Sequence, residues 1–314
     1  MFLPLVSARM ATPNPWASTS VRPDAEHPGR WHATIDDVWV TATVPLGGIS
    51  AAVAARAMGA ELATQHPASV DQRLRSIHCL FAAPVPAGPV EADVTALHFG
   101  RSLSQTQVTL RAPGARDGLT ALGAFGAPRT GYSFSEAVPP DVPPPEACRS
   151  FREPPPAHVD WDASRRMPLW DTILEGRGAI GLPPWDRSPR TTAESATWYR
   201  FDVPPLGSDD RLDPLAALVM GDLMLGSVGQ RVGYTEQRWL GPSVDLTVHL
   251  FADPRPGWIL SHSKARIADD GYASLECSLW DPTGDDGAQL VAHATQLMFF
   301  TFPAGTPSPD QLRL

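Results

Sequence analysis

The spacing of apolar and polar positions changes period twice along this chain, and in the same order each time. Trp31-His32-Ala33-Thr34-Ile35 alternates like a short strand. Gly47-Gly48 then opens a run from Ile49 to Leu62, rich in Ala and carrying Val53, Met58 and Leu62. A helix with that composition is apolar nearly all round, which predicts burial. Four runs with β-branched residues follow, at 73–83, 88–98, 102–111 and 118–126. Pro-Ala-Gly, Phe-Gly-Arg and Pro-Gly-Ala-Arg-Asp-Gly turns separate them. The second round predicts a strand at 195–203, a helix near 214–225, and strands near 244–252, 257–268, 272–281 and 288–301.

Two landmarks keep these rounds in register. Leu80-Phe81-Ala82-Ala83-Pro84 is answered by Leu250-Phe251-Ala252-Asp253-Pro254, so Phe81 and Phe251 are 170 residues apart. Leu110-Arg111-Ala112-Pro113-Gly114 is answered by Leu279-Trp280-Asp281-Pro282-Thr283-Gly284, where Pro113 and Pro282 are 169 apart. That agreement points to a duplicated domain. One buried helix wrapped by an antiparallel sheet, twice over, is an α+β double hotdog, in which one chain stands in for a dimer. Between the copies, Pro139 to Pro156 holds eight prolines within 18 positions. Such a segment cannot donate ladder hydrogen bonds and reads as a semi-rigid spacer. The expected organisation is a loose tail at 1–25, a first hotdog domain at 26–132 and a Pro-rich linker at 133–160. A second hotdog domain at 161–304 would carry the active site, with a tail at 305–314.

Composition narrows the function. The 314 residues carry a formal net charge of -9, and Lys264 is the sole Lys among 25 basic residues, so a basic nucleic-acid footprint is absent. Cys79, Cys148 and Cys277 show neither metal-ligand spacing nor an even count, which argues for a reducing compartment. No apolar stretch is long enough to span a membrane, and the apolar start is too short for a signal peptide. A cytoplasmic location is expected. No Gly-rich nucleotide-binding pattern appears, so no cofactor is expected.

Several segments together resemble the acyl-CoA thioesterase II family and its thioesterase-like relatives. In the first copy these are Gly29-Arg30-Trp31, Gly47-Gly48, Pro84-Val85-Pro86-Ala87-Gly88-Pro89-Val90 and Gly100-Arg101-Ser102-Leu103-Ser104. In the second they are Ser243-Val244-Asp245-Leu246-Thr247-Val248-His249-Leu250-Phe251 and Leu290-Val291-Ala292-His293-Ala294-Thr295-Gln296. The resemblance implies hydrolysis of acyl-CoA to free acid and CoA, with an Asp, a Thr or Ser, and a Gln orienting a water. By position these are Asp222, Ser243 and Gln296. Two departures stand out: Ser243 occupies a place commonly held by Thr, and Met220-Gly221-Asp222-Leu223-Met224 differs from the family's usual wording.

Without the resemblance the same residues read less sharply. Asp213-Pro214 is a good helix start, and Leu215, Leu218, Val219 and Asp222 then share one face. A carboxylate on an apolar face is costly unless partnered, and the plain alternative is a helix end facing solvent. Gln296 shares a strand face with Ala292, Ala294, Met298 and Phe300, where its amide needs partners. Ser243 has the parity of Asp245 and Thr247, opposite the apolar face, and on its own reads as a turn residue after Gly241-Pro242. The first helix has no Asp, Glu or His from Gly47 to Ala60, so one catalytic centre per chain is expected. Gly47-Gly48 offers close backbone approach for a ligand oxygen at a helix N-terminus, or simply a tight turn. A non-catalytic acyl or acyl-CoA binding protein of the same fold is the rival reading. A hotdog hydratase fits less well, because no His lies between residues 214 and 248. The expected partner is a small acyl-CoA, with assembly as a homodimer or homotetramer.

Overall fold

The computed structural model describes residues 14–160, 166–207, 209–233, 239–284 and 287–302. The expected tail at 305–314 lies outside these. The first half supplies strands β1 (Arg22–Pro23), β2 (Arg30–Ile35), β3 (Arg73–Phe81), β4 (Gly88–His98), β5 (Leu103–Arg111) and β6 (Leu119–Gly126), with helix α1 (Gly47–Gln65). The second half supplies β7 (Arg149–Ser150), the single turn α2 (Leu169–Thr172), β8 (Leu174–Ile180) and β9 (Glu194–Phe201). Helix α3 (Ala216–Gly221), a 3-10 turn (Asp222–Leu225) and α4 (Gly226–Val232) follow, then β10 (Asp245–Leu250), β11 (Ile259–Asp269), β12 (Tyr272–Asp281) and β13 (Gln289–Phe299).

These strands make one antiparallel sheet in the order β1-β2-β4-β5-β6-β3-β10-β13-β12-β11-β9-β8-β7. The order β2-β4-β5-β6-β3 is repeated by β9-β11-β12-β13-β10, and the copies meet where β3 pairs with β10. There Ile77 faces Val248 and His78 faces Thr247. The two strands at this seam are repeat mates, so the halves are related by a local two-fold axis.

The strands form because their side chains alternate. On β5, Ser104, Thr106, Val108 and Leu110 are buried, while Leu103, Gln105 and Gln107 between them are exposed. The inward face meets α1, whose residues from Gly48 to Ala55 are all buried. Such a helix is stable only inside a sheet that closes round it. Helices α1 and α3 cross tightly: a Cβ on Gly48 would lie 2.6 Å from the Leu218 carbonyl oxygen. No described helix is long and apolar enough to cross a membrane.

Two sequence expectations need correction. Residues 14–23 are not a loose tail. Pro15–Thr19 forms a 3-10 turn, and buried Trp16 packs edge-on against Trp39 and Phe201, joining the halves. Nor is the Pro-rich segment only a spacer. Its end lies on the outer face of the second half, where Val142 and Cys148 pack with Trp198, Leu260 and Trp280. Prolines lack the donor but keep the acceptor. The Pro143 oxygen accepts from Trp198 Nε1 at 2.9 Å, and the Pro145 oxygen from Arg177 at 3.0 Å.

Candidate active site

The seam between the two helices holds a carboxylate. Asp213 starts the second helical run as expected, its side chain accepting from the Leu215 N–H at 3.1 Å. One face then buries Leu215, Leu218 and Val219 and delivers Asp222 where α3 gives way to the 3-10 turn. Asp222 is 6% exposed. Its Oδ2 accepts from the Gly48 N–H at 2.8 Å, and the Gly47 N–H also bonds the carboxylate. Its Oδ1 accepts from Gln296 Nε2 at 2.6 Å and from the Ser243 hydroxyl at 3.4 Å. Gln296 Nε2 also donates to Ser243 Oγ at 2.8 Å. The structure thus brings Asp222, Ser243, Gln296, Gly47 and Gly48 into one cluster, spanning both halves of the chain.

No ion pair to Asp222 occurs among the described residues. Burial pushes its carboxyl up from 3.8 to about 6, against the opposing pull of the Gly48 amide, Gln296, Ser243 and the Gly47 amide. The N-terminus of α1 further favours the negative charge. A buried carboxylate poised near neutrality, beside a hydroxyl and a primary amide, can accept a proton from a bound water.

Ser243 reaches this cluster by a register slip that the alternation could not reveal. Within β10 and β13 the pairing is Thr247 with Thr295, whereas further out Ser243 bridges Met298, one residue out of step. The Asp245 side chain takes a ladder position there, accepting from the Leu297 N–H at 2.7 Å. A one-residue slip turns a side chain to the opposite face, so Ser243 points inward.

The glycines hold the carboxylate. The amides expected to receive a ligand oxygen are engaged by Asp222. A Cβ on Gly47 would lie 2.9 Å from the Phe81 ring and 3.1 Å from Asp222 Oδ2, and one on Gly48 would strike α3 backbone. Sequence reasoning missed Phe81, whose only signal was its place in the duplicated Leu-Phe-Ala motif.

The other end of the helix pair is built differently. Asp213, starting the second helical run, is buried and receives Trp16 Nε1 at 3.0 Å as well as the Arg56 guanidinium. Both helical runs open with the same turn, Ile49 N–H to the Leu46 oxygen at 3.2 Å and Ala216 N–H to the Asp213 oxygen at 2.9 Å. By that alignment Arg56 sits one residue along from the counterpart of Asp222. An ion pair therefore neutralises the carboxylate at this end, and among the described residues none does so at the other. Among the described residues no group of three or more His, Cys, Asp or Glu is placed to hold a metal ion, and all three cysteines are buried and free.

This sheet order, repeated round two central helices, defines a double hotdog. An acyl-CoA thioesterase N-terminal domain model matches residues 35–126, and an acyl-CoA thioesterase C-terminal domain model matches 145–300. The chain belongs to the acyl-CoA thioesterase family. None of the curated proteins matches it. Among solved structures, a conserved protein of unknown function with hot dog fold from Alicyclobacillus acidocaldarius is 26% identical, with a TM-score of 0.69, covering 92% of this chain and 98% of that one. An acyl-CoA thioesterase II from Mycobacterium marinum is 17% identical, with a TM-score of 0.68, covering 93% and 100%. The second likeness is one of fold alone.

Proposed function

We propose that this protein hydrolyses acyl-CoA thioesters to free acid and CoA, with Asp222 as general base and Ser243 and Gln296 as the groups that hold its water. The observation that carries this reading is the carboxylate at 222, buried without a cation and joined to a hydroxyl and an amide, in a chain of this family. Water held by the Ser243 hydroxyl and Asp222 attacks the thioester carbonyl while its proton passes to the carboxylate. The tetrahedral intermediate then collapses, the carbon–sulfur bond breaks, and the proton goes to the departing thiolate. The steps balance without a covalent enzyme intermediate and without a cofactor. The cytoplasm, where acyl-CoA is met, is the expected setting.

The direct test is release of free thiol from acyl-CoAs of graded chain length by the purified protein. Turnover with at least one chain length supports the hydrolase. Saturable binding of the same compounds with no thiol released overturns it in favour of the acyl-CoA binding protein.

A further inference from the structure

The Phe81 ring is the side chain from the sheet that meets the Gly47 corner of the carboxylate. It ends β3 on the inward face, two residues beyond buried Cys79. Its backbone N–H donates to the Val244 oxygen at 3.0 Å, which ties it to the residue after Ser243. The ring carbon Cζ and Asp222 Oδ2 lie 2.9 and 3.1 Å from the point where a Gly47 Cβ would stand. Ring edge and carboxylate thus both border the small space beside Gly47. The repeat mate, Phe251, is 53% exposed, so the duplication did not require an inward aromatic at this place.

The geometry points to Phe81 as a positioning and specificity residue: its ring covers the Gly47 side of Asp222 and forms the wall against which the acyl carbons next to the thioester lie. This rests on the acyl-CoA hydrolase reading. An attacking water must sit beside Asp222 and the thioester carbon beside that water, so the first acyl carbons come within reach of whatever lines this corner. A flat ring pinned at its backbone admits an unbranched chain along its edge and resists a branch at the α-carbon. The same ring keeps bulk water from Oδ2. The ionisable groups near this corner are Cys79 on β3, on which Asp222 and Asp245 both act, and Asp245 on β10. The first turn of α1 contributes only backbone amides, and β13 contributes the neutral Gln296.

The test uses the full chain with Phe81→Ala and Phe81→Leu. The first readout is kcat/KM for an α-methyl-branched acyl-CoA divided by that for the straight chain of equal length. Filling or freeing the space of one methylene in a pocket is worth on the order of 10-fold or more. The ratio should rise by about that factor in Phe81→Ala and by less in Phe81→Leu. The second readout needs no turnover: the Asp222 titration, followed by infrared difference spectroscopy against Asp222→Asn. Its midpoint should fall from about 6 toward the ordinary carboxylate value when the ring is removed. An unchanged ratio with an unchanged midpoint in folded Phe81→Ala overturns the inference, as does an equal loss on both substrates with the midpoint fixed. If Phe81→Ala does not fold, Phe81→Leu must show both shifts in the same direction. Wild-type protein that never releases thiol sinks the hydrolase reading, while the titration still decides whether Phe81 shields Asp222.

Discussion

Asp222 meets two opposing demands. Burial penalises its charge, and the backbone and side-chain donors around it offset only part of that penalty. Its carboxyl titrates near 6 in the folded protein against 3.8 as the ordinary value. The native state therefore holds this proton more tightly than the unfolded chain. The resulting cost to stability is absent below the ordinary value, grows as pH rises through about 6, and is complete above it. A displacement of this size corresponds to roughly 3 kcal/mol. Asp222→Asn should accordingly gain stability relative to wild type between about pH 4 and pH 8, read from urea midpoints at both. Activity should run the other way. The acidic limb of the kcat/KM profile should lie near pH 6, because only the ionised carboxylate accepts a proton. A limb near the ordinary carboxylate value would mean that another group limits turnover. Asp222 was legible in the sequence as an acid on an apolar helix face, and Gln296 as an amide on an apolar strand face. Ser243 was legible only through the family resemblance and not from the pattern, because near the Asp245 side chain the register slips and reverses the parity that alternation assumes.

Among the elements, the α1–α3 crossing sets the geometry of the site. Gly48 belongs to that crossing as much as to the site, since its missing side chain lets α1 come against Leu218 and Val219 of α3. Gly48→Ala should destabilise the fold by about 1–3 kcal/mol or more, because the atoms it meets are backbone and cannot swing aside. Circular dichroism melts would report this as a lowered Tm, and an unchanged Tm would contradict the tight crossing. The strands were legible because their alternation matches the burial pattern, as on β5. The helical run was legible at its start, where Asp213 and Pro214 sit, but not at its end. The 3-10 turn at Asp222–Leu225 packs against β11 and β12, and the continuation to Val232 against β9 and β11, tertiary contacts that local propensity does not contain.

At the scale of the whole molecule, duplication supplies two related helix-pair ends, and the proposed chemistry uses one of them. The Arg56–Asp213 pair and Trp16 fill the other. A non-hydrolysable acyl-CoA thioether should therefore bind once per chain in calorimetry, and two equal sites per chain would contradict this asymmetry. Trp16 also ties the N-terminal segment to both halves through Trp39 and Phe201. Trp16→Ala should cost about 3–5 kcal/mol, visible as a lower urea midpoint of unfolding. The segment before residue 25 read as a tail because Phe201, against which Trp16 packs, lies in the other half of the chain, beyond any local pattern.

The carboxylate at 222 carries the proposed activity. The most direct measurement is kcat for thiol release at about pH 8 by wild type and by Asp222→Asn, with the fold of both verified. A positioned general base is worth about 10² to 10⁴ in rate, so the variant should lose a factor in that range. A folded Asp222→Asn that turns over at the wild-type rate would contradict the account.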